Sequence, residues 1–180
     1  GKGDISAMPE AQVFFTGSNA WKSLPKWPPA DAMATTLYLQ SDGRLSAGKP
    51  SADNSFTGYT SDPAKPVPYD EDVHFNRSRK YMTNDQRFAA NRPDVLVFET
   101  DLLENDITVA GPVLADLRAS ISTTDADFVV KLIDVFPNDM GHNTINIYAN
   151  EDAVLPHPMG GYQMLVRGEI FRGRYRKSLE

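Results

Sequence analysis

Asp127-Phe-Val-Val-Lys-Leu-Ile-Asp-Val-Phe136 is the stretch on which the fold turns. It is almost continuously apolar and rich in β-formers, and Pro137-Asn138-Asp139 closes it. That pattern predicts a central strand, covered on both faces. Just upstream, Val113-Leu-Ala-Asp-Leu-Arg-Ala-Ser-Ile121 alternates. Val113, Ala115, Leu117, Ala119 and Ile121 point one way; Asp116, Arg118 and Ser120 point the other, with Leu114 the exception. Period two of this kind predicts a strand with one buried and one wet face. Asp94-Val-Leu-Val-Phe-Glu-Thr100 reads as a further strand, and Ile107 to Val109 leads into Gly111-Pro112. Downstream, Tyr162-Gln-Met-Leu-Val-Arg-Gly-Glu-Ile-Phe171 is entered through Gly160-Gly161.

Farther out, Glu10-Ala-Gln-Val-Phe-Phe-Thr16 stops at Gly17, and Thr35-Thr-Leu-Tyr-Leu-Gln40 is closed by the turn signal Ser41-Asp42-Gly43. Residues 1–9 read as a linker. Between 47 and 93 the character changes. Pro50, Pro63, Pro66, Pro68 and Pro93 stand among many Ser, Asp and Asn residues, and Lys65-Pro66-Val67-Pro68 favours an extended path. This predicts a long surface excursion with a helical turn around 81–91; loops of such length are often functional or docked on something. No stretch of 12 or more residues keeps helical period. With 12 glycines and 13 prolines punctuating short apolar runs, the pattern is that of an all-β chain, specifically a β-sandwich.

The 180 residues are enough for a core of one domain or two, with 41% hydrophobic and 23% charged residues. Cysteine is absent, which excludes disulfides, thiolate nucleophiles and zinc knuckles. The net charge of -6 makes nucleic acid a poor partner, since phosphates call for the opposite sign. No apolar run approaches the roughly 18 residues of a membrane span. The opening Gly1-Lys2-Gly3-Asp4 reads as a piece cut from a longer chain.

Catalytic signals are weak. An α/β-hydrolase nucleophile needs glycines two residues before and after a serine. Of the twelve serines, Ser41 and Ser46 each have one such glycine and none has both, which is turn chemistry. His74, His142 and His157 are too far apart in sequence for a local metal pair, and read as loop histidines. Asp70, Glu71 and Asp72, or Asp125 with Asp127, lack the spacing of a calcium loop. No cofactor is implied. Arg167, Arg172, Arg174, Arg176 and Lys177, with Phe171 and Tyr175, form a basic end that reads as strand alternation or contact with an acidic surface. Trp21 and Trp27 flank Pro25; packing beneath a loop is the commoner fate, and stacking on sugar rings would make the chain a carbohydrate-binding module.

Several blocks in order carry a resemblance. They are Val13-Phe-Phe-Thr-Gly-Ser-Asn-Ala-Trp21, Trp27-Pro28-Pro29, Leu37 to Ser46, Ser61 to Tyr69, Asp85-Gln86-Arg87, Arg92-Pro93-Asp94-Val95-Leu96, Ile107 through Pro112, Asp127 to Val135, and Gly161 to Arg176. Together they resemble the C-terminal domain of X-prolyl dipeptidyl-peptidase-family hydrolases, a family that includes cocaine esterase, α-amino-acid ester hydrolases and glutaryl 7-ACA acylases. The α-amino-acid ester hydrolase branch looks nearest. The resemblance implies a galactose-binding-like jelly roll over residues 10–180. It also implies a parent serine hydrolase whose triad lies in an α/β-hydrolase domain outside this chain, so that no catalytic residue falls here. The partner it implies is that catalytic domain. Relatives of this branch are often exported, so a periplasmic or secreted location is expected.

Family members continue past the segment like Arg172–Arg176 with further strands. The jelly roll is therefore expected to be incomplete at its C-terminus and to form a homo-oligomer through open sheet edges. The long excursion and its Asp85, Arg87, Arg92 and Asp94 are the expected contact with the catalytic domain.

Overall fold

The computed structural model describes residues 5–6, 8–51, 55–72, 75, 80–145 and 155–173, with backbone alone for 80, 143–145 and 155–157. They fall into two compact units: 1–55 with 98–116, and 56–97 with 117–180.

In the first unit, β1 (Ala11–Phe15) and β2 (Ala20–Leu24) form an antiparallel hairpin in which Val13 faces Lys22 and Phe14 faces Trp21. The connection is Thr16-Gly17-Ser18-Asn19, and Asn19 closes it at φ 48°, a left-handed conformation that Asn tolerates better than other side chains with a Cβ. One face of the hairpin carries the half-buried Ala11, Val13, Phe15, Ala20 and Leu24; the other carries the exposed Gln12, Phe14, Trp21 and Ser23. β3 (Tyr38–Leu39) and β4 (Leu45–Ser46) form a second, shorter hairpin. Its turn ends at Gly43, φ 82°, and the Asp42 carboxylate accepts both the Arg44 N–H (3.2 Å) and Arg44 Nε (2.8 Å). Glu99 lies parallel to this turn: its N–H donates to the Gly43 carbonyl (3.0 Å), and its own carbonyl accepts from Leu45 (2.7 Å).

The second unit is built on β5 (Asp127–Val135) and β8 (Gln163–Arg172), paired antiparallel from Asp127↔Arg172 to Val135↔Gln163. The register shifts between Leu132 and Ile133, where β8 carries an extra residue. β6 (His142–Ile145) and β7 (Leu155–Pro158) form a separate pair. A 3-10 turn at Lys80–Met82 overlaps the region 81–91 where the sequence predicts a helical turn, and the single-turn helix α1 (Arg87–Ala90) lies within it.

The turn after β5 and the turn before β8 lock together. Phe136 N–H donates to the Tyr162 carbonyl (2.9 Å) and Gly161 N–H to the Pro137 carbonyl (3.3 Å). Gly161 sits at φ 65°, and a Cβ on Gly160 would fall 2.5 Å from the Asn138 carbonyl oxygen, so Gly160-Gly161 is dictated by close backbone approach. The buried apolar residues among those described are Ala89, Met159 and Tyr162, and they sit around this junction with the buried Asp70 and Gln86.

The chain is all-β: the described residues form antiparallel strand pairs and almost no helix. Three strand expectations differ from the structure. Residues 112–121 have no ladder, and 112–120 are exposed throughout, with Leu114 at 88%. The alternation of 113–121 therefore has no dry face here. Asp94–Thr100 contributes only the single bridge at Glu99. β5, expected to be central, has one neighbour, β8, among the described residues. The common reason is that a strand propensity becomes a strand only when a partner offers its N–H and C=O groups.

Candidate functional site

The four residues expected at a domain contact form two separate ion pairs on the same chain segment. Asp85 precedes α1 and faces its first turn. Its Oδ1 accepts the Arg87 N–H (3.1 Å) and the N–H of Gln163, the first residue of β8 (3.3 Å). Its Oδ2 accepts Arg87 Nε at 2.6 Å and also pairs with the second guanidinium nitrogen. Partial burial pushes the Asp85 carboxyl up; the side-chain and backbone bonds from Arg87 and the N–H of Gln163 together outweigh it and hold the group below the usual carboxylate range. Arg92 grips Asp94 with a two-pronged contact, Nε to Oδ1 and Nη2 to Oδ2, both 2.7 Å, and the same Nη2 donates to the Lys65 carbonyl at 2.8 Å. The hydrogen bonds from Arg92 hold Asp94 below its ordinary value.

Residues 83–86 are thereby laced to the β5–β8 pair. Gln86 N–H donates to the Gln163 carbonyl (3.0 Å). The Gln86 side chain, 2% exposed, donates to the Asn84 carbonyl (2.9 Å) and accepts from Lys131 Nζ on β5 (2.6 Å). Lys131 also lies over the Phe88 ring, 5.5 Å from its centre, and burial lowers its pKa. Tyr162 donates its hydroxyl to the Thr83 carbonyl, and burial and the nearby Asp85 charge push its pKa up. Asn84 donates to Asp70. Sequence reading singled out the charged pairs but missed Gln86, Lys131, Tyr162 and Gln163, whose partners are 45 to 79 residues away.

The other singled-out residues are dispersed. Ser46 Oγ accepts from Gln40 Nε2 (2.8 Å) and donates to the Gly48 carbonyl (3.3 Å), as turn chemistry requires. His142 opens β6; His74 lies outside the described residues, as does the side chain of His157. Asp127 pairs with Arg172 (3.0 Å) and Arg167 with Glu169 (3.1 Å), while Arg174, Tyr175, Arg176 and Lys177 lie outside the described residues. Among the described residues no three metal-ligating side chains come together, and no helix is long and apolar enough to cross a membrane. Trp21 does not pack beneath a loop: it is 71% exposed, against 39% for Trp27.

The side chains of Asn84, Asp85, Gln86, Arg87, Arg92 and Asp94 bond to one another, to β5 and β8, and to Lys65 and Asp70. An arrangement of this kind braces; among the described residues it aligns no nucleophile with a base. The class is an all-β domain whose polar centre is structural. Residues 4–179 match the model of the X-Pro dipeptidyl-peptidase C-terminal non-catalytic domain, and the chain belongs to that family. It is similar to cocaine esterase of Rhodococcus sp. (strain MB1 Bresler), 33% identical over 142 residues, covering 74% of this chain and 25% of that protein. A crystal structure of an aminopeptidase from a marine sediment Thaumarchaeota archaeon matches with a TM-score of 0.78 at 38% identity, covering 95% of this chain and 27% of that one. The chain thus spans about a quarter of the length of these relatives.

Proposed function

We propose that this domain is the accessory jelly-roll lobe of a serine hydrolase that cleaves acyl esters or amides, of the α-amino-acid ester hydrolase, glutaryl 7-ACA acylase or X-prolyl dipeptidyl-peptidase type. The observation that carries the reading is the match of nearly the whole chain to a domain described as non-catalytic, within relatives of which it covers only about a quarter. One relative is named an esterase and the other an aminopeptidase, which supports a shared acyl chemistry. In it a serine oxygen attacks the carbonyl, the alcohol or amine leaves, and water releases the acyl group. The domain's part is positional. The Asp85–Arg87 and Arg92–Asp94 pairs hold residues 85–94 to Gln163 and Lys65, so that the outer side of this stretch meets the catalytic domain in a fixed place.

The test is active-site labelling of the complete parent with a fluorophosphonate. One serine outside residues 1–180 should be modified, with loss of ester or amide hydrolysis. Modification within residues 1–180, or hydrolysis that persists in the fully labelled protein, overturns the reading.

The exposure of Trp21 favours a second reading, a carbohydrate-binding module using Trp21 or Trp27. Glycan-array binding lost in Trp21→Ala or Trp27→Ala would support it, and a silent array would remove it.

A further inference from the structure

A hollow of 460 Å³ opens between the β1–β2 hairpin and residues 106–110, both in the first unit. Its size falls among small-molecule sites, about 300–1,000 Å³. The walls include Val13, Phe15, Trp27 and Val109, and two opposite charges, Lys22 and Asp106, line it as well. Val13 and Lys22 are cross-strand partners and Phe15 follows two places on, so the three share one face of the hairpin. The Lys22 ammonium rests over the Phe15 ring, 4.5 Å from its centre, which holds the cation against the wall. Glu10 fixes the backbone at Trp27 by accepting its N–H at 3.0 Å. Lys22 and Asp106 do not pair with each other, and among the described residues neither side chain forms a hydrogen bond or an ion pair.

We propose that this hollow binds a free α-amino acid with an apolar side chain, its carboxylate on Lys22, its ammonium on Asp106 and its side chain against Trp27 and Val109. The three parts of the ligand follow from the three parts of the lining. Taking water from a charge is unfavourable unless an opposite charge replaces it. A ligand entering between Lys22 and Asp106 displaces water from both, so it has to bring an anion and a cation, close together and joined to an apolar group. A zwitterion does this without changing the net charge. A saccharide stacks on an indole but offers neither group a counter-charge. A phosphate or a lone carboxylate satisfies Lys22 and is repelled by Asp106. Both charged residues are exposed, so solvent and salt keep the binding weak, with half-saturation at about millimolar ligand. The site is independent of the reaction proposed above.

The experiment is hydrogen exchange of the complete parent at neutral pH, read by mass spectrometry, with L-leucine as the probe. At saturation the amides of residues 13–22 and 106–110 should exchange at least about threefold more slowly. 4-Methylpentanoate, which lacks the ammonium, and L-leucinol, which lacks the carboxylate, should each need about tenfold more ligand for the same slowing. Lys22→Met and Asp106→Asn should each weaken L-leucine by about tenfold, while Gln12→Ala, on the opposite face of the hairpin, should leave it unchanged. Absence of slowing at these residues overturns the proposal. So does slowing by 4-methylpentanoate or L-leucinol equal to that by L-leucine, or slowing that survives in both charge variants. Slowing by glucose or cellobiose but not by L-leucine overturns it too, and marks a saccharide site. If a variant does not fold, the three probes on the unaltered parent decide.

Discussion

Replacing Asp85 by Ala removes a carboxylate that receives three N–H groups: Arg87 Nε at 2.6 Å, the Arg87 backbone at 3.1 Å and the Gln163 backbone at 3.3 Å. The Arg87 guanidinium is 47% exposed, so water replaces that partner and the ion pair counts for about 0–1 kcal/mol. The two backbone donors matter more. Each loses a charged acceptor, and the Gln163 bond is partly buried, which puts the loss at about 1–2 kcal/mol together. The expected destabilisation is about 1–3 kcal/mol, read as a drop in the urea midpoint with unchanged slope. The folded pKa of Asp85 lies below its unfolded value, because hydrogen bonds from Arg87 and Gln163 exceed the opposing effect of burial. Its contribution is therefore fully present above the unfolded carboxylate value, about 3.9, and is lost as pH falls through the folded one. The gap between the native protein and Asp85→Ala should be full at pH 7 and shrink below about pH 4. A gap under 0.5 kcal/mol at pH 7, or one that widens in acid, refutes the brace.

Three further outcomes follow from the same geometry. Gly160→Ala puts a methyl 2.5 Å from the Asn138 carbonyl oxygen and should cost about 1–3 kcal/mol in urea unfolding; Gly17→Ala, with nothing within 4 Å, should stay within about 0.5 kcal/mol. Lys131, its pKa lowered by burial, should be acetylated at lower pH than the other lysines; because its unfolded form holds the proton longer, it makes stability rise with pH up to its unfolded value near 10.5, a slope that Lys131→Met should abolish. Arg92→Lys cannot reproduce the fork to Asp94 together with the bond to the Lys65 carbonyl, so it should lower stability in urea unfolding by about 0.5–1.5 kcal/mol.

The strands that local pattern revealed are those that found a partner. Runs 10–16, 127–136 and 162–171 enclose or overlap β1, β5 and β8. Asp94–Thr100 and Val113–Ile121 carry a strand pattern too, but no ladder partner stands beside them among the described residues beyond the bridge at Glu99. β7 was illegible for the opposite reason: Pro156 and Pro158 argue against a strand, yet proline is tolerated on the edge of a two-stranded pair. At the site, acid and base two residues apart make Asp85–Arg87 and Arg92–Asp94 readable. No local signal ties Asp85 to Gln163, 78 residues on, or Gln86 to Lys131, 45 residues on. The exposure of Trp21 was equally hidden, since an indole after a turn is compatible with cover or with solvent.

Gln163 spends both outward backbone groups on one short segment: its N–H goes to the Asp85 carboxylate, and its carbonyl receives the Gln86 N–H. Residues 85–86 thus act as a gatekeeper at the first rung of β8, where a nascent chain of the same sequence could otherwise begin to template a cross-β stack. Weakening Asp85 would then do more than lower stability; it would open a strand edge to pairing with a second chain.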